Sequence, residues 1–294
     1  MNTSGIDHVL GQACYQAGLD ASRAELIRRG ENVLFRVGDT VLRIGRPGQW
    51  GAASREIAVS RWLTDSGIPA VRVWAHMEQP LLIDERPITF WQLLPPHRQG
   101  RPGEIGALLK KLHHQPVPTH LGLGHLDPFV RLPERIAAAT TLPDDDRAWL
   151  VVRLAELRTA WAGLLDEGTP RVVHGDAWAG NVPVVLGEST AFFLDLERFS
   201  IGSPNWDLAS TAIKHTSFEW ITRQEYEEFS QAVGSDVTAW PGFPIMRDLR
   251  ELRMTCYLAQ HSAEHPGFHD EVRLRVDCLR GRHGDRPWRW TPLK

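Results

Sequence analysis

The sequence predicts an α+β chain of two lobes, a small β-rich part followed by a larger, mainly helical part. Two observations predict this. Residues 25–44 break into short apolar runs punctuated by Gly30-Glu31-Asn32 and Gly38-Asp39, the pattern of a β-hairpin series. Later in the chain, apolar residues recur at helical spacing, most clearly at Leu150, Leu154, Leu157, Trp161 and Leu164. A length of 294 residues accommodates both parts.

In order, the pattern predicts a helix near Asp7–Ala17, then strands around Leu26-Ile27, over Val33–Val37 and over Thr40–Ile44. A helix follows over Ala52–Asp65, and another over Glu104–Gln115. Residues 116–146 are Pro-rich and irregular, long enough for a cover or a substrate loop. A helix over Asp146–Leu165 precedes the Val172-Val173 strand, and three more are expected near Trp206–His215, Ile245–Ser262 and Asp270–Arg280. The domain boundaries read as 1–90 for the first lobe, 91–96 for a hinge and 97–294 for the helical lobe.

Composition narrows the function class. A hydrophobic content of 42% is globular, and a net charge near −3 argues against a general nucleic-acid binder. No apolar run approaches the ~18 residues needed to span a bilayer, so no membrane partner is expected. No basic region followed by an apolar core opens the chain, and Cys14, Cys256 and Cys278 have neither disulfide nor zinc spacing. These features predict a reduced, cytoplasmic protein. Nothing in the sequence sets its oligomeric state.

The chemistry concentrates in Val172-Val173-His174-Gly175-Asp176-Ala177-Trp178-Ala179-Gly180-Asn181, followed by Phe192-Phe193-Leu194-Asp195. An Asp five residues before an Asn, with a second Asp ending a later strand, is the order in which ATP-dependent phosphoryl transfer uses a base, a metal-binding Asn and a metal-binding Asp. Asn181–Leu186 and Ala191–Leu196 read as strands joined by Gly187-Glu188-Ser189-Thr190. Asn181 and Asp195 lie equally far from residue 188, so a hairpin brings them to one end as a two-oxygen clamp for Mg²⁺. Asp176, in the loop leaving the Val172-Val173 strand, is placed to take a proton from an acceptor hydroxyl. His174 reads as structural, holding that loop by a side-chain hydrogen bond.

Phosphoryl transfer from ATP also needs a cation on the nucleotide phosphates and a carboxylate to brace it. Lysine occurs only at Lys110, Lys111, Lys214 and Lys294, so Arg43 is the strand cation available. Ala52, Glu56, Val59 and Leu63 share one helical face, which points Glu56 inward and demands a cation. Arg43 is the partner that function requires; Arg55 or Arg61 at the surface is the alternative. Gly30 and Asn32 either cradle phosphate through backbone N–H groups or form an ordinary turn.

Together these residues resemble the aminoglycoside phosphotransferase and choline kinase-like superfamily, relatives of the protein kinases with a two-lobed, protein-kinase-like fold. The resemblance runs from about Glu25 to Ala209. It rests on Val41-Leu42-Arg43-Ile44, Arg55-Glu56, Leu112-His113, HGDAWAGN at 174–181, Leu194-Asp195-Leu196-Glu197 and Gly202-Ser203-Pro204-Asn205-Trp206-Asp207-Leu208-Ala209. It implies ATP and Mg²⁺ as cofactors, Asp176 as base, Asn181 and Asp195 as metal ligands, and Asp207 as support for the catalytic loop. It also implies a linker over Ile88–Pro96 whose backbone near Gln92 and Leu94 meets adenine. Arg43 departs from the usual Lys, and the last 80 or so residues match no motif.

The acceptor is expected to be a small-molecule hydroxyl on an aminoglycoside, sugar or other metabolite, with Ser or Thr of a peptide natural-product precursor as the alternative. A non-catalytic, pseudokinase-type binding module is the rival outside enzymology. Trp178 stacks on an acceptor ring or packs under its loop, and Glu197 is a further candidate acceptor contact. Glu219, Glu225, Glu227, Glu228 and Asp236 form either a carboxylate-lined cleft for a polycation or a solvated helix face. Against a polycation stands the basic segment from Val272 onward, which carries Trp288 and Trp290. It either favours other acceptors or covers the core.

Overall fold

The computed structural model describes residues 3–30, 32–164 and 169–292. In chain order the elements are α1 (Thr3–Ala17), β1 (Ala24–Arg29), β2 (Val33–Val37), β3 (Thr40–Ile44), α2 (Trp50–Asp65), β4 (Leu81–Ile83), β5 (Arg86–Gln92), β6 (His97–Gln99) and α3 (Pro102–His113). They continue as α4 (Leu132–Ala138), α5 (Asp144–Ala162), β7 (Arg171–Val173), β8 (Pro183–Val185), β9 (Ser200–Gly202), α6 (Asn205–Thr216), α7 (Arg223–Val233), α8 (Phe243–His261) and α9 (His269–Leu279). Two compact units result, one of Met1–Gly100, Gln115–Leu123 and Ala179–Phe199, the other of Arg101–His114, Gly124–Trp178 and Ser200–Lys294.

The first unit is built on an antiparallel sheet ordered β1-β2-β3-β5-β4. Val33, Phe35 and Val37 of β2 alternate inward with Leu34 and Arg36 outward, and Thr40, Leu42 and Ile44 do the same on β3. The two strands meet through Gly38-Asp39, a two-residue turn whose left-handed first position (φ 61°) suits glycine. Ile6, Val9, Leu10, Ala13 and Cys14 recur at helical spacing on α1 and pack on those inward strand residues. Ile6, Val9 and Leu10 each contribute about 1.5–3 kcal/mol by burial. α2 packs against β5 and the 3₁₀ turn Leu196–Arg198.

One sequence reading is corrected here. Ile88–Gln92, expected to belong to a linker, is the second half of β5, with Ile88, Thr89 and Phe90 paired to Ile44, Arg43 and Leu42. Pro87 to Trp91 are all buried, so the strand shows no period-two alternation by which to recognise it.

The hairpin expected at 181–196 is antiparallel, as its turn implied, but shorter. Phe192 N–H donates to the Pro183 carbonyl at 2.9 Å and Leu194 N–H to the Asn181 carbonyl at 2.8 Å, with a bridge between Val184 and Ala191. Asn181 itself ends a 3₁₀ turn over Ala179–Asn181 instead of starting a strand.

The second unit is mostly helical. α3 and α7 approach closely at Gly106, where a Cβ would sit 2.8 Å from the Phe229 carbonyl oxygen. α5 carries the first part of the expected stripe and buries Leu150, Leu154 and Leu157; it ends at Ala162, before Leu164, and Trp161 is half-buried. Leu165, placed at the end of that helix by the sequence reading, lies outside the described residues, as does Glu31 of the predicted turn. The region read as irregular contains α4, too short for periodicity to reveal. The basic C-terminal segment covers the core: Trp288 and Trp290 are buried, and the Trp220 indole N–H donates to the Trp290 carbonyl at 2.7 Å. Among the described residues four of its cations are paired, including Arg286 with Glu251 at 2.6 Å and Arg275 with Glu271 at 2.7 Å.

Candidate active site

In the first unit the β3–β5 register sets Arg43 opposite Thr89, and its guanidinium reaches α2. Nη1 donates to both carboxylate oxygens of Glu56 at 2.5 Å, and Nη2 to Glu197 at 3.1 Å. Arg55 and Arg61, the alternative partners for Glu56, are exposed. In the orientation that satisfies both groups, the Asn32 amide oxygen also accepts from Arg43 Nε at 3.1 Å and Nη2 at 2.6 Å. Asn32 and Glu197, expected to meet phosphate and acceptor, are thus partners of the strand cation. Gly30 N–H donates to the Asn32 carbonyl at 3.1 Å and closes the turn.

The Glu56 carboxyl is raised to about 7: burial raises it most, Arg43 opposes that, and the charges of Asp195 and Glu197 add to the rise. Burial lowers the Arg43 pKa, but Glu56, Asp195 and Glu197 outweigh it and hold the guanidinium above its ordinary value. Asp195 is therefore within electrostatic reach of the Arg43–Glu56 pair. It occupies the left-handed region (φ 54°, ψ 70°), uncommon for a residue with a side chain and concentrated at functional sites.

The donor set fits Mg²⁺. Asn181 and Asp195 are joined through one backbone hydrogen bond between Leu194 and Asn181, and they offer an amide and a carboxylate oxygen. Mg²⁺ favours one or two such protein oxygens, with phosphate and water completing its octahedron. Among the described residues no group of three or more His, Cys, Asp or Glu forms a protein-only cage. The Gln92 N–H, expected near adenine, donates to the Arg72 carbonyl at 2.8 Å, and the Leu93 N–H to Asp39 at 2.9 Å; Leu94 follows directly.

The second unit holds the loop leaving β7. Asp207, fully buried in the first turn of α6, accepts from the backbone N–H groups of His174 and Gly175 at 2.8 Å each and from His113 Nε2 at 3.0 Å. Burial raises its pKa, but the hydrogen bond and charge of His113, with help from His174, bring it below the usual range. The Trp206 indole N–H donates to the Gly175 carbonyl at 2.9 Å. Gly175 is thus held from both sides, at a φ of 83° that favours glycine. His174 Nδ1 accepts from the Asp176 N–H at 3.3 Å, which assigns its proton to Nε2. Asp176 and Trp178 belong to this unit, whereas Asn181 and Asp195 belong to the first.

Three residues near this loop escaped the sequence reading. His113 was visible only as half of an unspecific Leu-His pair, although it shares the buried face of α3 with Leu109 and Leu112. Arg250, buried on α8, donates to the Trp206 carbonyl at 2.6 Å and stands 3.9 Å over that indole ring. Burial lowers it to about 10, with Asp176 and Asp207 opposing. Lys214, on the last turn of α6, lies 5.9 Å from the Trp178 ring.

The acidic helix is a locally satisfied face. Glu225 caps α7 at Thr222, Glu227 pairs with Arg223 at 2.8 Å, Glu228 accepts from Gln224, and Asp236 accepts from Tyr226 at 2.6 Å.

Among curated protein sequences no match was found. Many solved structures share the fold. A choline/ethanolamine kinase family protein from Mesorhizobium loti aligns at 19% identity and TM-score 0.60, over 96% of this chain and 98% of its own. Amicoumacin kinase, solved with AMP-PNP, Ca²⁺ and Ami, aligns at 15% identity and TM-score 0.66, over 92% and 93%. The choline kinase of Streptococcus pneumoniae aligns at 15% identity and TM-score 0.63, over 94% and 98%. Residues 25–249 match the sequence profile of the phosphotransferase enzyme family, and the chain belongs to that family.

Proposed function

We propose that this phosphotransferase moves the γ-phosphoryl group of ATP to a hydroxyl of a small molecule, with Mg²⁺ and in the cytoplasm. The observation that carries the reading is the Leu194–Asn181 hydrogen bond, which ties the residue before Asp195 to Asn181. Supporting it are the AMP-PNP complex of amicoumacin kinase and the ADP complex of a spectinomycin phosphotransferase, both sharing this fold. Three buried free thiols suit a reducing compartment.

In this reading Asp176 accepts the proton of the acceptor hydroxyl as that oxygen bonds to the γ-phosphorus and the bond to ADP breaks. Asp207 and Trp206 hold the backbone at Gly175, one residue before the base, so the carboxylate waits in position without reorganisation. Asn181 and Asp195 would hold the metal, which would supply neutralisation of the phosphate charge. Arg43, braced by Glu56, orients the phosphates, and the backbone from Gln92 at the end of β5 to Leu94 just beyond it meets adenine.

ADP release with a panel of hydroxylated compounds tests this. Asp176→Asn is expected to lower kcat roughly 10²–10⁴-fold while leaving the melting temperature in place. Unchanged turnover in Asp176→Asn and Asp195→Ala refutes it. The non-catalytic module keeps one observation in its favour, because Arg43 already has Glu56, Glu197 and Asn32 as partners. Thermal stabilisation by ATP only with Mg²⁺ favours the enzyme, and no nucleotide effect favours the module.

A further inference from the structure

The proposed reaction leaves the acceptor's chemistry open, and a cation beside Asp176 bears on it. The Lys214 ammonium, half-buried on α6, makes no hydrogen bond or ion pair among the described residues. The other cations of the second unit's interior are committed. Arg250 is held by Trp206, Arg153 by Asp248 at 2.8 Å, Arg286 by Glu251, Arg275 by Glu271, and Arg280 by Asp146. A half-buried ammonium without an ion pair gains from an anion that pairs it.

The setting of Lys214 gives the sign of that ligand. Lys214 faces the partly exposed indole of Trp178 and stands in electrostatic reach of Asp176 and Arg250. Burial and then Arg250 lower its pKa to about 8, while Asp176 opposes them. Two cations thus face two carboxylates, but Asp207 is saturated by three N–H donors, and Asp176 loses its charge when it takes the acceptor's proton. While the acceptor binds, Asp176 is the carboxylate left opposite Lys214 and Arg250. Meanwhile Glu225, Glu227, Glu228 and Asp236 are engaged in caps and local pairs, which leaves the exposed Glu219 as the remaining carboxylate of the acidic stretch. Amines brought against Lys214 and Arg250 would be repelled.

We propose that Lys214, with the Trp178 ring beside it, forms a subsite for an anionic group, carboxylate or phosphate, on the acceptor whose hydroxyl Asp176 deprotonates. This rests on the phosphotransferase reading and deepens it: the acceptor is a hydroxylated anion, not an aminoglycoside. The charge orients the acceptor, and the indole packs on its carbon skeleton.

The test compares matched acceptors by MgATP-dependent ADP release and by calorimetric binding in the presence of MgAMP-PNP. Hydroxy acids such as gluconate and sugar phosphates such as glucose 6-phosphate are set against neutral glucose and cationic kanamycin. Anionic members are expected to exceed their neutral counterpart in kcat/KM or affinity by roughly tenfold or more, the scale of one charge-assisted contact. Lys214→Gln should abolish that preference through KM, and Lys214→Arg should retain most of it with an unchanged melting temperature. The gluconate and glucose 6-phosphate arms separate carboxylate from phosphate. A panel in which no anion surpasses its neutral partner overturns the proposal, as does better use of kanamycin or a preference that survives Lys214→Gln. Mg²⁺-dependent ATP stabilisation without anion preference defeats this proposal alone, whereas absence of any nucleotide effect defeats the phosphotransferase reading beneath it.

Discussion

Each unit buries one carboxylate, and the two are treated in opposite ways. Glu56 in the first unit meets a single guanidinium, with Asp195 and Glu197 nearby, and its pKa rises to about 7. Asp207 in the second unit is more deeply buried, yet its pKa falls, because two backbone N–H groups and His113 donate to it. Donors aimed at the charged form, more than burial, decide whether a buried carboxylate stays ionised. The difference suits the proposed roles. Asp207 acts as a fixed anchor for a loop, while the Arg43–Glu56 pair is poised to respond to the charges around it.

The sharpest way to break this comparison is to remove the anchor. Asp207→Ala strands two backbone N–H groups and His113, so a loss of about 3–5 kcal/mol in urea unfolding is expected. A loss below about 1 kcal/mol would mean the loop has other supports. Next comes pH. Folded Glu56 keeps its proton up to about 7, whereas in the unfolded chain it loses it near 4.5. The folded chain therefore binds more protons in that window, and stability falls as pH rises from 4.5 to 7, by up to about 3 kcal/mol from this group. Urea midpoints across that range should show the slope in the wild type and not in Glu56→Gln.

Smaller effects refine the picture. Arg43→Met should weaken MgATP binding roughly 10–100-fold by titration calorimetry, as expected for one charge-assisted phosphate contact. Arg43→Lys should recover part of the loss. Gly106→Ala forces α3 and α7 apart where the new methyl meets the Phe229 carbonyl, for about 1–2 kcal/mol by thermal or urea unfolding. That cost should leave nucleotide affinity unchanged.

What the sequence made legible was local. Glu56 could be read as inward because a helix repeats every 3.6 residues, and Arg43 because it is the cation in an alternating strand. The 181–195 hairpin was readable from its turn, but the 3₁₀ turn at Asn181 was not, since three residues carry no period. Ile88–Gln92 carries no strand signal because burial on both faces of β5 removes alternation. Asp207 was assigned through resemblance to a family, not through its own surroundings. Its partner His113 lies 94 residues away, beyond the reach of any pattern. Arg250 and Lys214 were hidden for the same reason: their meaning comes from Trp206 and Trp178, which only the fold brings near.

Titration calorimetry of MgAMP-PNP against wild type, Asp195→Ala and Asp176→Asn tests the central assignment most directly. Binding that requires Mg²⁺, is lost or weakened at least tenfold in Asp195→Ala and persists in Asp176→Asn is the predicted result. Binding independent of Mg²⁺, or equal in wild type and Asp195→Ala, would contradict it.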